Sequence, residues 1–103
     1  MKIVEAKLEG SDLSLRVNPS RLDALTAAEF KKDCAEIWQQ GIASVRVDLS
    51  EVQFIDSSGV GALLSIYKRL PAPNPTVKLE CVQPAVQAVI ELLRLHRIFE
   101  IEG

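Results

Sequence analysis

Histidine occurs once and cysteine twice in these 103 residues, a scarcity that removes most metal and nucleophile chemistry at the outset. Cys34 and Cys81 have no Cys or His neighbour at ligand spacing. Both therefore read as buried free thiols, small hydrophobes suited to a reducing compartment. His96, between Leu95 and Arg97 near the expected end of the last helix, suits a helix-dipole role or plain exposure. Glu100 and Glu102 in the tail suggest no metal site. No run of lysine or arginine is present, and a formal net charge of -2 leaves no electrostatic footprint for nucleic acid. No apolar stretch could span a bilayer. The start, M-K-I-V-E-A-K-L-E, mixes charge with apolar residues where a signal peptide would need an apolar core. The expected setting is the cytoplasm, without membrane insertion. No complete phosphate-binding glycine motif appears, so no cofactor is indicated.

What is present is enough for one core: 48% of the residues are hydrophobic, and the expectation is a single domain over residues 1–103. Ile3 to Leu8 and Leu13 to Val17 alternate and are joined by Glu9-Gly10-Ser11-Asp12, a hairpin signal. Thr26-Ala27-Ala28-Glu29 has the form of a capping box, with Leu25 placed to staple onto Phe30. Phe30, Cys34, Ile37 and Trp38 continue a buried helical face until Gly41, read as a left-handed stop. Trp38 reads as a core anchor. Val77, Leu79 and Cys81 alternate as a strand. Pro84 suits the first turn of a helix carrying Val86, Val89, Ile90 and Leu93 inward, and Ile98 to Ile101 fit a short terminal strand. The order β-β-α-β-α-β-α-β predicts an α/β fold, a mixed sheet with helices packed on it.

The most informative stretch is Val45 to Leu70. Val45, Val47 and Leu49 alternate with Arg46, Asp48 and Ser50, as in a strand with one buried face. The pattern breaks on Asp56-Ser57-Ser58-Gly59 and resumes with helical period at Val60, Leu63, Leu64 and Tyr67, with Leu70 on the flank. The junction sets two hydroxyls at a helix start, where free N–H groups and the macrodipole favour a negative group. A phosphate on Ser57 or Ser58 would add about −1.5 to −2 charges and three acceptor oxygens, enough to change a docking surface without refolding the domain. Both serines also suit plain capping, helped by Asp56. Gly59 and Gly61 would admit close approach of another backbone, either a neighbouring loop or a partner. On the helical wheel Gly61, Ala62 and Ser65 lie together on the side away from the expected core.

The segment V-R-V-D-L-S followed by F-I-D-S-S-G-V-G-A-L-L closely resembles the STAS domain of bacterial anti-sigma factor antagonists. Leu22-Asp23-Ala24-Leu25-Thr26-Ala27 is similar to that family's G-x-L-D-x-x-T-A segment, and Pro84-Ala85-Val86 to its S-P-A-V. These blocks cover nearly the whole chain. The resemblance implies phosphorylation of Ser57, the first serine of the loop, by a serine kinase of GHKL type that is also the anti-sigma factor, and reversal by a PP2C-type phosphatase. It implies a partner surface made of Asp23, Thr26, Asp56, Ser57, Ser58 and Gly59, which the wheel position of Gly61, Ala62 and Ser65 would extend along the helix. Two departures stand out. Ser20 replaces the family's glycine two places before Leu22, so the turn into the first helix should differ. Pro71-Ala72-Pro73-Asn74-Pro75 replaces a glycine-rich turn and should stiffen that connection.

No enzyme is expected. The nucleophile elbow needs G-x-S-x-G, and the residue two before Ser57 is Ile55. The leading expectation is an anti-sigma factor antagonist that binds its anti-sigma factor kinase when unphosphorylated. The alternative is a constitutive accessory subunit docking on an ABC-transport ATPase, a class whose loop more often reads D-T-A-G. A third output, control of a cyclase, a kinase or motility, leaves the same sequence signature.

Overall fold

The alternating runs pair as their patterns demand in the computed structural model, which describes residues 3–71 and 75–102. β1 (Val4–Glu9) and β2 (Asp12–Val17) form the antiparallel hairpin, in register from Val4↔Val17 to Glu9↔Asp12. Its two-residue loop opens with Gly10 at φ 62, a left-handed position such loops assign to glycine. β2 then pairs in parallel with β4 (Ser44–Asp48), β4 with β6 (Thr76–Glu80) and β6 with β7 (Glu100–Ile101). The sheet order is β1-β2-β4-β6-β7. Three helices make the connections: α1 (Ala24–Ile37), α2 (Ser57–Arg69) and α3 (Pro84–Leu92). The predicted mixed sheet and element order stand, with two additions: β3 (Arg21–Leu22) and β5 (Phe54–Ile55), which pair in parallel as a separate small ribbon.

Period 2 sorts the sheet into two faces. Leu13, Leu15 and Val17, Val45 and Val47, and Val77 and Leu79 are buried together with Phe30, Leu63, Ile66, Val86 and Ile90 of the helices. The opposite face carries Arg16, Arg46, Asp48, Lys78 and Glu80, each exposed or half-buried. Arg46 donates to Asp12 at 2.9 Å and lies 4.0 Å from Glu80.

Several local expectations give way to tertiary contacts. α1 starts at Ala24, and its box is Asp23 with Thr26, because Asp23 offers a carboxylate that takes two N–H groups where Thr26 could offer one hydroxyl. Leu25 falls on the first turn, 84% exposed, and staples nothing. α1 ends at Ile37 with Trp38 extended, so the left-handed Gly41 (φ 96) shapes the turn into β4 rather than stopping the helix. Trp38 and Ile37 are half-buried at the core margin. β6 stops at Glu80, leaving Cys81 exposed at φ 55. α3 stops at Leu92. Arg94 at φ 59 turns the chain, so Leu93 is exposed and His96 sits in a short 3-10 turn, Leu95–Arg97, instead of the helix. Of the proline-rich connection, Ala72 to Asn74 lie outside the described residues.

Candidate functional site

The β3–β5 ribbon builds the site by joining two strand ends that each run into an aspartate and then a helix. Leu22 pairs with Ile55. The next residues, Asp23 and Asp56, are both extended (φ -126, ψ -166 and φ -118, ψ -172) and are the N-caps of α1 and α2. Two capped helix starts therefore stand side by side. The ribbon is held by Asp56 N–H on the Leu22 carbonyl at 3.3 Å and by Gln53 N–H on the Ser20 carbonyl at 2.7 Å. Ser20, in the family's glycine position, thus serves through its backbone.

Each cap is satisfied by its own aspartate. Asp23 Oδ1 accepts the N–H groups of Leu25 and Thr26 at 3.1 and 3.3 Å, and the Thr26 hydroxyl accepts the Asp23 N–H at 2.9 Å. The Thr26 N–H holds the Asp23 carboxyl below its ordinary value against partial desolvation, and Arg21, Leu25 and the Thr26 hydroxyl reinforce it. At α2, Asp56 Oδ1 accepts the Gly59 N–H at 3.0 Å. This modifies the expectation of a free anion cradle: a carboxylate already occupies the α2 start, and a phosphate on Ser57 would stand beside it.

Ser57 and Ser58, the first two residues of α2, are exposed. Gly59 is buried, because a Cβ there would run into the Leu22 carbonyl and lie 2.7 Å from Ile55 Cγ1. The neighbouring-loop explanation applies to Gly59, whose missing side chain lets α2 seat on the ribbon. Gly61 has nothing within 4 Å of its Cβ position and faces open space. Ala62 departs from the predicted surface. It is 0% exposed and shares the buried stripe with Gly59, Val60, Leu63 and Ile66. Of the expected face, Val60 and Leu63 are buried and Leu64 and Tyr67 half-buried; the buried stripe turns toward 59, 62, 66 and 70, because Gly59 lets the helix seat closely on the ribbon. Ser65 is half-buried and donates to the Ala62 carbonyl.

Three neighbours escaped the sequence reading. The Arg21 guanidinium lies 4.2 Å from the Phe54 ring centroid and its Nε donates to Asp23 Oδ2 at 3.2 Å. Phe54 is 41% exposed and Leu25 84%. The rim around Ser57 is therefore a hydroxyl pair flanked by apolar surface and one stacked arginine, the mixture favoured at protein contacts. An aromatic at a strand's exposed position was the available signal. Among the described residues, no group of three or more His, Cys, Asp and Glu side chains could hold a metal ion, and no helix is long and apolar enough to cross a membrane.

A family model described as the STAS domain matches residues 4–103. The anti-sigma-B factor antagonist of Listeria monocytogenes is 31% identical over 84 residues, covering 80% of this chain and 72% of that protein. An anti-sigma factor antagonist from Mycobacterium paratuberculosis superposes with a TM-score of 0.82 at 20% identity, covering 97% of this chain and 84% of the other. The Bacillus cell fate determinant SpoIIAA in its phosphorylated form superposes with a TM-score of 0.70 at 19% identity, over 97% and 91% of the two chains.

Proposed function

The chain belongs to the STAS domain family, and from that premise we propose that it is an anti-sigma factor antagonist, a non-enzymatic partner switch controlled by phosphate on Ser57. The carrying observation is the exposed Ser57 hydroxyl at the head of α2, one residue after a capping carboxylate and on the same rim as the α1 start. Unphosphorylated, the rim of Asp23, Thr26, Asp56, Ser57, Ser58, Gly61 and Ser65, with Arg21, Leu25 and Phe54, docks on an anti-sigma factor that is also a GHKL-type serine kinase. Ala62 and Gly59 act from beneath, by setting the seat of α2.

The kinase would transfer the γ-phosphoryl group of ATP to Ser57 Oγ, with loss of the hydroxyl proton and release of ADP. A dianion then stands beside the Asp56 carboxylate. Its solvation must be stripped before the partner can return, and that desolvation together with like-charge repulsion opposes the complex. A PP2C-type phosphatase would reset it. Support comes from the relative named as an anti-sigma-B factor antagonist and from the neighbour solved in a phosphorylated form.

The test is affinity isolation from the native host with wild type, Ser57→Ala and Ser57→Asp as baits, alongside mass spectrometry of Ser57 under two growth conditions. The expected result is a kinase recovered by wild type and Ser57→Ala, at least about tenfold less by Ser57→Asp, a loss of ~1.4 kcal/mol, and condition-dependent phosphate. Equal recovery by Ser57→Asp, or a transport ATPase recovered by all three baits with Ser57 never phosphorylated, overturns the reading.

A further inference from the structure

β1 forms one edge of the five-stranded sheet. Its outward backbone groups can be identified from the pairing. Asn18 N–H donates to the Ile3 carbonyl at 3.0 Å, and with the register Val4↔Val17 this makes Glu5, Lys7 and Glu9 the positions whose N–H and C=O groups face β2, together with the Ile3 carbonyl, while the Ile3 N–H goes to Asp33. Those of Val4, Ala6 and Leu8 point away from the sheet. Among the described residues no hydrogen bond reaches them. The side chains of the same three residues line a groove of about 450 Å³ with Leu13 and Ile37. Leu8 is 39% exposed there. Glu5, Lys7 and Glu9 project from the opposite face, all exposed.

We propose that this edge is a homodimer contact, in which β1 pairs antiparallel with β1 of a second copy about a two-fold axis through Ala6. Charge selects the register. Outward groups meet outward groups whether the axis passes through an outward residue or an inward one, so hydrogen bonding leaves the position of the axis open and charge decides it. An axis at Ala6 engages the strand most fully and sets Val4 against Leu8 of the second copy over the grooves. It also sets Glu5 against Lys7 of the second copy in the non-hydrogen-bonded positions, where opposite side chains approach most closely. An axis at Lys7 would oppose Glu5 to Glu9 and Lys7 to itself, and an axis at Glu5 would oppose two copies of Glu5. Lysine on a sheet edge ordinarily blocks pairing. Here Lys7, which lies 3.2 Å from Glu9 of its own strand, also meets Glu5 of the second copy; an axis at Leu8 would match Lys7 with Glu9 instead but would pair only the hairpin end of the strand. The resulting ten-stranded sheet leaves the Ser57 rim uncovered by β1, and the proposal draws nothing from the reading of that rim.

The test is sedimentation velocity on the full chain from low micromolar to millimolar concentration, with charge reversals at the edge. Wild type is expected to dimerise as concentration rises. Glu5→Lys and Lys7→Glu should each weaken association at least about tenfold, and the double variant Glu5→Lys/Lys7→Glu should restore it. A second readout uses Ala6→Cys in a Cys81→Ser background. A hydrogen-bonded pair holds its Cα atoms about 5.5 Å apart, within disulfide range, so this variant should cross-link under mild oxidation faster than the exposed control Lys31→Cys. A wild type that stays monomeric at millimolar concentration overturns the proposal. So does a dimer indifferent to both single reversals, or an Ala6→Cys variant that cross-links no faster than the control.

Discussion

Cys34 and Cys81 carry the same side chain and are predicted to behave oppositely. Cys34 lies on the packed face of α1, where burial pushes its thiol from 9.0 up to about 12, with Asp33 adding slightly and Arg69 opposing. The folded state therefore favours the neutral thiol. Its contribution is complete below about pH 9, where unfolded chains also keep the proton, and fades between pH 9 and 12 as the unfolded thiol ionises first. One thiol, Cys81, should react with an aromatic disulfide reagent in the native protein, and two in denaturant. Cys34→Ala should flatten the alkaline loss of stability. Two fast native thiols would contradict this. The sequence pattern assigned both to the interior, since alternation extends through Cys81 as if the strand continued. Only the left-handed turn after Glu80 exposes it. Asp33 is the reverse case: an acid, 3% exposed, whose partner is the backbone of a residue far away in the chain.

Among the elements, α2 decides the site, and its two glycines separate fold from docking. Gly59→Ala places a methyl against the Leu22 carbonyl and Ile55, so the β3–β5 ribbon must shift. A cost of about 1–3 kcal/mol is expected in urea unfolding. Gly61→Ala meets open space and removes an interior helical glycine, so it should gain up to about 1 kcal/mol while weakening the partner complex proposed above. Equal stability changes in the two variants would refute the assignment of Gly59 to the ribbon. The helical period of α2 was legible from sequence; its phase was legible only in part. Of the expected face Val60 and Leu63 are buried and Leu64 and Tyr67 only half-buried, because the close seat of Gly59 on the ribbon turns the helix toward Ala62 and Ile66.

The whole molecule spans 33 × 32 × 19 Å, and its short dimension fits one sheet with one layer of helices. The other sheet face is left to Arg46, Asp12 and their neighbours. The N-terminal edge of this layer is tied to α1 by a half-buried bond, Ile3 N–H to Asp33 Oδ2 at 2.7 Å. Asp33→Ala should cost about 1–3 kcal/mol by leaving that N–H without its partner, and should speed hydrogen exchange along β1. Asp33→Asn keeps an acceptor and should cost less. Equal, unchanged exchange in both variants would show that the bond does not anchor the edge. By itself the sequence determined the hairpin, the alternation of the central strands, the helices and the polar break before Ser57, because these depend on residues within a turn or two of one another. Tertiary structure alone decided that Leu22 meets Ile55, that Gly59 and Ala62 lie inside while Gly61 lies out, and that two Asp-capped helices share one rim. Each depends on backbone groups distant in the chain finding one another, and the free energy of those contacts overrides the local pattern wherever the two compete.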